Sequence, residues 1–229
     1  FLLKLPVSGY LSLHPIVTTI TFLGIQVIVN NNYGVNGLGF YNAVITIETT
    51  SVMLVMSSVR SFYLPALGKL DNQVDKEEFI NKMITMLAIF MLPITVCLIL
   101  GSKYILWILY SEKFVPAANL LALQSMAMIL HAYGWCYVFY LNHKAQYGTY
   151  LILDSVWASL LIGGTWYFSS HGFPLTVVFV NYLIATLISF SLYLVVIRTR
   201  YGSGMLNMRN IKLGLAAFLI VALSFIISQ

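Results

Sequence analysis

Two carboxylic acids lie inside long apolar stretches of this 229-residue chain, whereas the other five of its seven acidic residues lie in polar segments. They are Glu48 and Asp154. An ionised side chain at the centre of a membrane-spanning helix costs about 2.5–3.5 kcal/mol on insertion scales, so it needs a reason to be there. Each acid is either a titratable or ion-coordinating group in a water-filled cavity, or a carboxyl hydrogen-bonded between helices or held in its neutral form.

Asp154 shares a helical face with aromatic side chains, because Tyr147, Tyr150, Asp154 and Trp157 follow steps of three and four residues. Such a face suits contact with a sugar or a lipid head group. It equally suits an aromatic anchor at the membrane surface, since Asp154 lies only about 9 Å from the cytoplasmic end of its predicted helix.

A stripe of polar side chains runs along the predicted helix that contains Glu48. At 100° per residue its members lie within about a third of the helix circumference, with Glu48 nearly opposite them. Arg60, at the end of the stripe, either binds an anionic substrate group or extends to the cytoplasmic interface. The members are Asn42, Thr46, Thr49, Thr50, Ser57 and Arg60.

A second polar face includes a histidine at mid-span, with Gln124, Met128, His131 and Trp135 on one side of a predicted helix. His131 is either a hydrogen-bonded packing residue or a partner for a proton or a phosphate. We therefore take Glu48, Arg60, His131 and Asp154 as candidates for a substrate or ion cavity. Further candidate lining residues are Thr46, Thr50, Ser57, Gln124, Trp135, Tyr150 and Trp157.

Motifs for other chemistry are missing from the sequence. It contains no glycine-rich phosphate loop, no His/Cys cluster with metal-ligand spacing and no nucleophile with a matching base. The two cysteines, Cys97 and Cys136, fall in apolar runs and are interpreted as packing residues. We expect no catalytic residue, no metal and no cofactor.

The composition of the chain predicts which elements carry these residues. It is 60% apolar and only 8% charged. That excludes a water-soluble globule and predicts an all-α polytopic membrane protein. Residues 1–200 are predicted to form a six-helix transmembrane lobe, and residues 201–229 a linker and one extra transmembrane helix near 211–228. The spans of the lobe are expected near 5–29, 38–65, 83–100, 117–141, 148–168 and 174–197.

The distribution of Lys and Arg predicts the orientation. Ten of the 12 basic residues fall on one side of the predicted spans, and Lys103 and Lys113 on the other. The positive-inside rule therefore places residue 1 and the 66–82, 142–147 and 198–212 connections in the cytoplasm, with the 30–37 connection outside. The basic balance is an orientation signal and implies no nucleic-acid partner. Because the chain begins at Phe1, we expect it to be a piece of a longer protein.

Four segments in order resemble the polysaccharide-repeat flippases, of the O-antigen-unit and lipid III type, in the multidrug/oligosaccharidyl-lipid/polysaccharide (MOP) exporter superfamily. They are NYGVNGLGFY at 32–41, FYLPALGKL at 62–70, SEKFVPAA at 111–118 and HKAQYGTYLILD at 143–154. The chain resembles the C-terminal half of such a flippase, so the resemblance implies that an N-terminal lobe is missing. Asp154 matches an acidic position of the family and His131 a lysine position. Glu48 lies one residue from an acid, and Arg60 gains no support.

The resemblance implies transport without catalysis. Undecaprenyl-pyrophosphate-linked oligosaccharide would cross the bacterial inner membrane by alternating access, in lipopolysaccharide or related polysaccharide biosynthesis, with a proton or sodium as the coupling ion. The partners implied are this lipid-linked oligosaccharide, the bilayer and the missing lobe. Two alternatives stay open: a drug/cation antiporter of the same superfamily, and a membrane-embedded glycan polymerase or ligase.

Overall fold

The computed structural model describes residues 7–201, 220 and 223–225, with side chains described from Leu13 onward except those of Arg60, Leu64 and Tyr201. Every regular element in this part of the chain is a helix. The helices are α1 (Val7–Gly68), α2 (Gln73–Leu100), α3 (Ser102–Leu109), a 3₁₀ helix (Glu112–Ala117), α4 (Ala118–His143), α5 (Tyr147–Ser170) and α6 (Thr176–Tyr201).

Helix α1 consists of two arms that meet at Gly34, whose backbone (φ 67°, ψ −173°) is non-helical. The first arm (residues 7–33) runs beside α5 in the same direction, since His14 contacts Asp154 and Tyr33 bonds the Phe173 carbonyl. The second arm (residues 35–68) runs beside α4 in the same direction, because Phe40 contacts Phe114 in the 3₁₀ helix just before α4 and Tyr63 contacts Phe139 near the end of α4. The arms are therefore antiparallel. The expected 30–37 connection is helical apart from this one residue, because glycine alone adopts such backbone angles readily.

Helix α2 begins ten residues before the predicted 83–100 span, inside the charged segment that the sequence pattern assigns to a connection. Asn72 caps it by accepting a hydrogen bond from the Val74 amide at 3.2 Å, which satisfies one free donor of the first turn. Lys82 pairs with Glu78 one turn earlier at 2.7 Å. The charges of this segment thus decorate an extension of the helix.

The aromatic stretch 104–110 lies in the short helix α3 as far as Leu109, and Tyr110 follows its last turn. Its side chains divide by face: Leu106 is fully buried, whereas Tyr104, Trp107 and Ile108 are exposed. Exposed aromatic residues beside a spanning helix are typical of the membrane–water interface.

Helix α4 lies at the centre of the bundle, with most of its side chains buried from Ala118 to Leu141. It packs against both α2 and α6, and also against α1. Helix α5 packs against α6 through a close contact in which the Asn181 amide lies over Gly164 and donates to the Leu161 carbonyl at 3.1 Å. This contact fixes the wall of the bundle that carries the site described next.

Five helices within the described residues are long and apolar enough to cross a membrane, and α1 is one of them. The chain is a multi-pass, all-α membrane protein, as its composition predicts. The fold-back at Gly34 gives α1 two apolar arms. The predicted extra helix at 211–228 falls almost wholly outside the described residues.

Candidate functional site

A cavity of about 400 Å³ lies among both arms of α1 and helices α4, α5 and α6. On the second arm its wall extends from Glu48 to Ser61, which is about 20 Å at 1.5 Å per residue. It therefore runs from the middle of the bundle toward the end predicted to be cytoplasmic. Met53, Ser57 and Ser61 are exposed as well as cavity-lining, so the cavity is open along the second arm.

Glu48 occupies the deep part of the cavity and is only 2% exposed. Gln124 of α4 lies beside its carboxyl group and beside the Tyr182 hydroxyl. Gln124 is fully buried, and neither polar atom of its side chain makes a hydrogen bond of standard geometry within the described structure. The carboxyl is thus placed in a low-dielectric setting next to a neutral amide.

His131 lies at the centre of an aromatic cluster on α4, α5 and α6. Its Nδ1 is 3.2 Å from the Tyr182 hydroxyl, and its ring centroid is 5.7 Å from that of Trp157 and 6.0 Å from that of Trp135. Trp157 also donates to the Thr186 hydroxyl at 3.4 Å. These contacts hold three flat rings and one imidazole against the cavity.

Asp154 bonds across the cavity wall to His14 of the first arm, with 2.8 Å between the imidazole Nδ1 and the carboxyl Oδ2. The His14 ring also packs on Tyr150, at a centroid distance of 4.8 Å. The side chains of His14 and Asp154 are 31% and 14% exposed, so both remain accessible from the cavity. This pair joins helices that are 140 residues apart in the sequence.

The structure brings together three of the four principal candidates, Glu48, His131 and Asp154, in one cavity. Arg60 lies in the same helical turn as Ser57 and Ser61, and its side chain is outside the described residues. Of the further candidates, Ser57, Trp135, Tyr150 and Trp157 also line the cavity.

Three further candidates lie elsewhere. Thr46 and Thr50 are exposed on the second arm, and Gln124 is buried behind Glu48. The cavity residues of the second arm, from Glu48 to Ser61, cover roughly 220° of its circumference at 100° per residue. The wall therefore takes in Glu48 as well as part of the stripe opposite it.

His14 lines the cavity. In the sequence it lies only beside a stripe of polar residues in the first predicted span, Ser8, Ser12, Thr19 and Gln26. Its partner Asp154 lies 140 residues later in the chain. Phe22, one of its neighbours on the first arm, adds an edge-on contact to Trp157. A single sequence contains no signal that predicts the contacts of His14 with Asp154 and of Phe22 with Trp157.

The ionisable groups among the described lining residues are two carboxylic acids, two histidines and three tyrosines, with no lysine or arginine. Within the described residues there is also no cluster of three or more His, Cys, Asp or Glu side chains that could hold a metal ion. The arrangement can bind polar, uncharged groups through aromatic faces and hydrogen bonds. It can also bind protons or a cationic group.

Comparison with known proteins gives one family. No curated protein and no solved structure matches the chain. A family model described as polysaccharide biosynthesis protein matches residues 5–119, just over half of the 229 residues. The matched segment includes both arms of α1, together with α2, α3 and the start of α4, and so contributes Glu48 and His14 to the cavity. The chain belongs to the polysaccharide biosynthesis protein family, in agreement with the resemblance carried by its sequence motifs.

Proposed function

We propose that the chain is the cavity-forming half of a flippase that moves undecaprenyl-pyrophosphate-linked oligosaccharide from the cytoplasmic to the outer leaflet of the bacterial inner membrane. The observation that carries the proposal is an open cavity, lined by carboxyl groups and aromatic rings, inside the bundle of a polysaccharide biosynthesis protein. The reaction is transport by alternating access, with no covalent step in the cargo. The glycan belongs to a surface polysaccharide of the O-antigen or lipid III type.

The lining of the cavity suits the sugars of such a cargo. Ligand sites combine apolar and aromatic surface with a few placed polar groups. Here Trp135, Trp157 and Tyr182 supply flat apolar faces, while Glu48 and Asp154 supply acceptors for sugar hydroxyl groups.

The pyrophosphate requires cations, which the described lining lacks, so we place it at the cytoplasmic mouth. At the same predicted end of the bundle, Lys144 bonds Gln73 at 3.0 Å, and Arg200 bonds Thr149 at 2.7 Å. Both cations are held at the surface of the bundle. The polyprenyl chain remains in the bilayer.

The cavity is open on one side, along the second arm of α1. Ser57 and Ser61 line the cavity and are also exposed on the second arm, and their hydroxyl groups donate to backbone carbonyls of the same helix. The surface beside them is therefore available to a further helix bundle. We propose that the N-terminal lobe of the full-length protein closes this side, and that the two lobes rock about the shared cavity. A proton is the coupling ion that we favour.

The experiment compares two tryptophan substitutions one residue apart in the full-length protein. Ser57 lines the cavity, whereas Ser58 is exposed outside its wall. In a flippase-deficient strain, S57W is expected to reduce surface glycan at least about 10-fold by filling the cavity, and S58W to leave it near normal. Normal export by S57W at a normal protein level would show that glycan does not pass through this cavity.

A second candidate is a cation-coupled exporter of cationic amphipaths, which the two acids and the absence of lysine and arginine from the described lining favour. The same strain separates the two functions. Raised resistance to cationic dyes without restored surface glycan supports the exporter. Restored glycan with unchanged dye resistance supports the flippase.

A further inference from the structure

The hydrogen bond between His14 and Asp154 is a cross-helix contact between two ionisable side chains that both face the cavity. It ties the first arm of α1 to α5 at 2.8 Å near the end predicted to be cytoplasmic. Ionisable side chains at membrane depth are rare, and they usually mark a pathway for substrate or ions. Histidine is the side-chain type that proteins most often use as a proton-sensitive switch.

The groups that face this pair come from every helix around the cavity. Tyr150 packs on the His14 ring from α5, and Tyr193 of α6 lies near Asp154. His131 of α4 is close enough to interact electrostatically with both members. The remaining titratable lining groups, Glu48 on the second arm and Tyr182 on α6, lie with Gln124 in the deep part of the cavity.

The chemistry of the contact selects a proton over a metal cation. Oxygen atoms are the ligands of hard cations such as sodium, and the Asp154 Oδ2 already faces the imidazole Nδ1. An N–H group that donates to a carboxylate repels a cation from that oxygen. When Nδ1 carries the hydrogen, the second imidazole nitrogen, Nε2, is the ring atom that can accept a proton.

We propose that His14 and Asp154 form a proton-operated latch between the first arm of α1 and α5, which rests on the proposed function as a coupled flippase. A proton from the cavity water adds to Nε2 of neutral His14, while the Nδ1 hydrogen continues to bond Asp154. The resulting imidazolium is held by charge attraction as well as by the hydrogen bond. Loss of the same proton leaves a weaker, neutral donor.

The latch couples protonation to the shape of the cavity. The first arm supplies His14, Thr18 and Phe22 to one wall, and α5 supplies Asp154 and its neighbours to the next. Proton uptake therefore closes the gap between these two helices. Proton release lets them separate on the cytoplasmic side, where a lipid-linked cargo would enter sideways from the bilayer.

The test measures the separation of the two helices as pH changes. Spin labels are attached to cysteines introduced by I16C on the first arm and I152C on α5. The two isoleucines are 52% and 57% exposed. The full-length protein carries C97S and C136A, which remove the two thiols of this chain, and is placed in lipid nanodiscs. Double electron–electron resonance (DEER) should give a mean distance between the two labels that is about 2 Å or more longer at about pH 8 than at about pH 5.5.

Two variants and one control test the assignment. H14Q keeps an N–H donor to Asp154 but cannot take up the proton, and D154N removes the charge. Both should lose the pH-dependent change. H171Q removes a histidine that bonds the Tyr167 carbonyl on the opposite end of α5, outside the cavity lining, and should retain it.

A distance that does not change with pH in the unsubstituted pair, or a change that survives in H14Q, would overturn the latch. The unsubstituted protein decides the question even where a variant does not fold. The outcome is separate from the proposed function: normal glycan export with a pH-independent distance removes only the latch. A pH-dependent distance without glycan export removes only the flippase.

Discussion

The contact between Gly164 and Asn181 allows a quantitative test of how α5 and α6 are held together. A Cβ atom on Gly164 would lie 2.6 Å from the Asn181 Cγ and 2.7 Å from its Nδ2, and closer still to its Oδ1. The amide cannot rotate away freely, because Nδ2 donates to the Leu161 carbonyl at 3.1 Å and lies 3.3 Å from the Thr165 hydroxyl. Asn181 is only 7% exposed.

The change G164A should therefore destabilise the protein. Overpacking a well-packed interface costs about 1–3 kcal/mol, and each interhelical hydrogen bond lost in a membrane protein costs about 0.6 kcal/mol. Replacing a helical glycine by alanine returns about 0.5–1 kcal/mol. The expected net loss in the free energy of unfolding is about 1–3 kcal/mol.

The matched control is the neighbouring glycine. A Cβ on Gly163 would meet no heavy atom within 4 Å, so G163A should gain about 0.5–1 kcal/mol from helix propensity alone. The assay is reversible unfolding in mixed SDS micelles, followed by tryptophan fluorescence. The double variant G164A/N181A should recover part of the loss. If G164A is as stable as G163A, the close approach of the two helices does not exist as described.

Two further substitutions test the reversal of α1 and the setting of Glu48. Gly34 has φ 67° and ψ −173°, and a Cβ atom at this position would meet no heavy atom within 4 Å, so G34A should lower the free energy of unfolding by about 1–3 kcal/mol through backbone strain alone. G134A, at a helical site that is also open, should not, and equal effects in the same SDS assay would contradict the reversal. Neither polar atom of the buried Gln124 side chain makes a standard hydrogen bond to another described residue, so Q124L should be as stable as the original protein or about 1 kcal/mol more stable. Surface glycan should decrease in Q124L because Glu48 loses the amide beside it. A clear loss of stability would mean that the amide is bonded.

The membrane helices were predictable because hydropathy acts over about 20 residues, and a single misplaced polar residue does not hide the signal. The ends of these helices were harder to predict from the sequence. Asn30, Asn31 and Asn32 are typical of a loop in composition, yet they lie in the helical first arm, because the chain reverses at Gly34 alone. The composition of a segment indicates whether it can lie in water, but not whether it is helical. The reversal of the chain depends on the backbone conformation of one residue, Gly34.

For the candidate site too, one part could be predicted from the sequence and another part could not. Glu48, His131 and Asp154 could be selected singly because a carboxyl or imidazole in hydrocarbon is costly wherever its helix lies. Their grouping depends on which faces of four helices meet, and helical periodicity fixes angles within one helix only. The His14–Asp154 contact is the clearest case: neither position predicts the other, and the bond exists because the first arm runs beside α5. Selection of costly residues thus comes from sequence, whereas the pairing that could give them a function comes from packing.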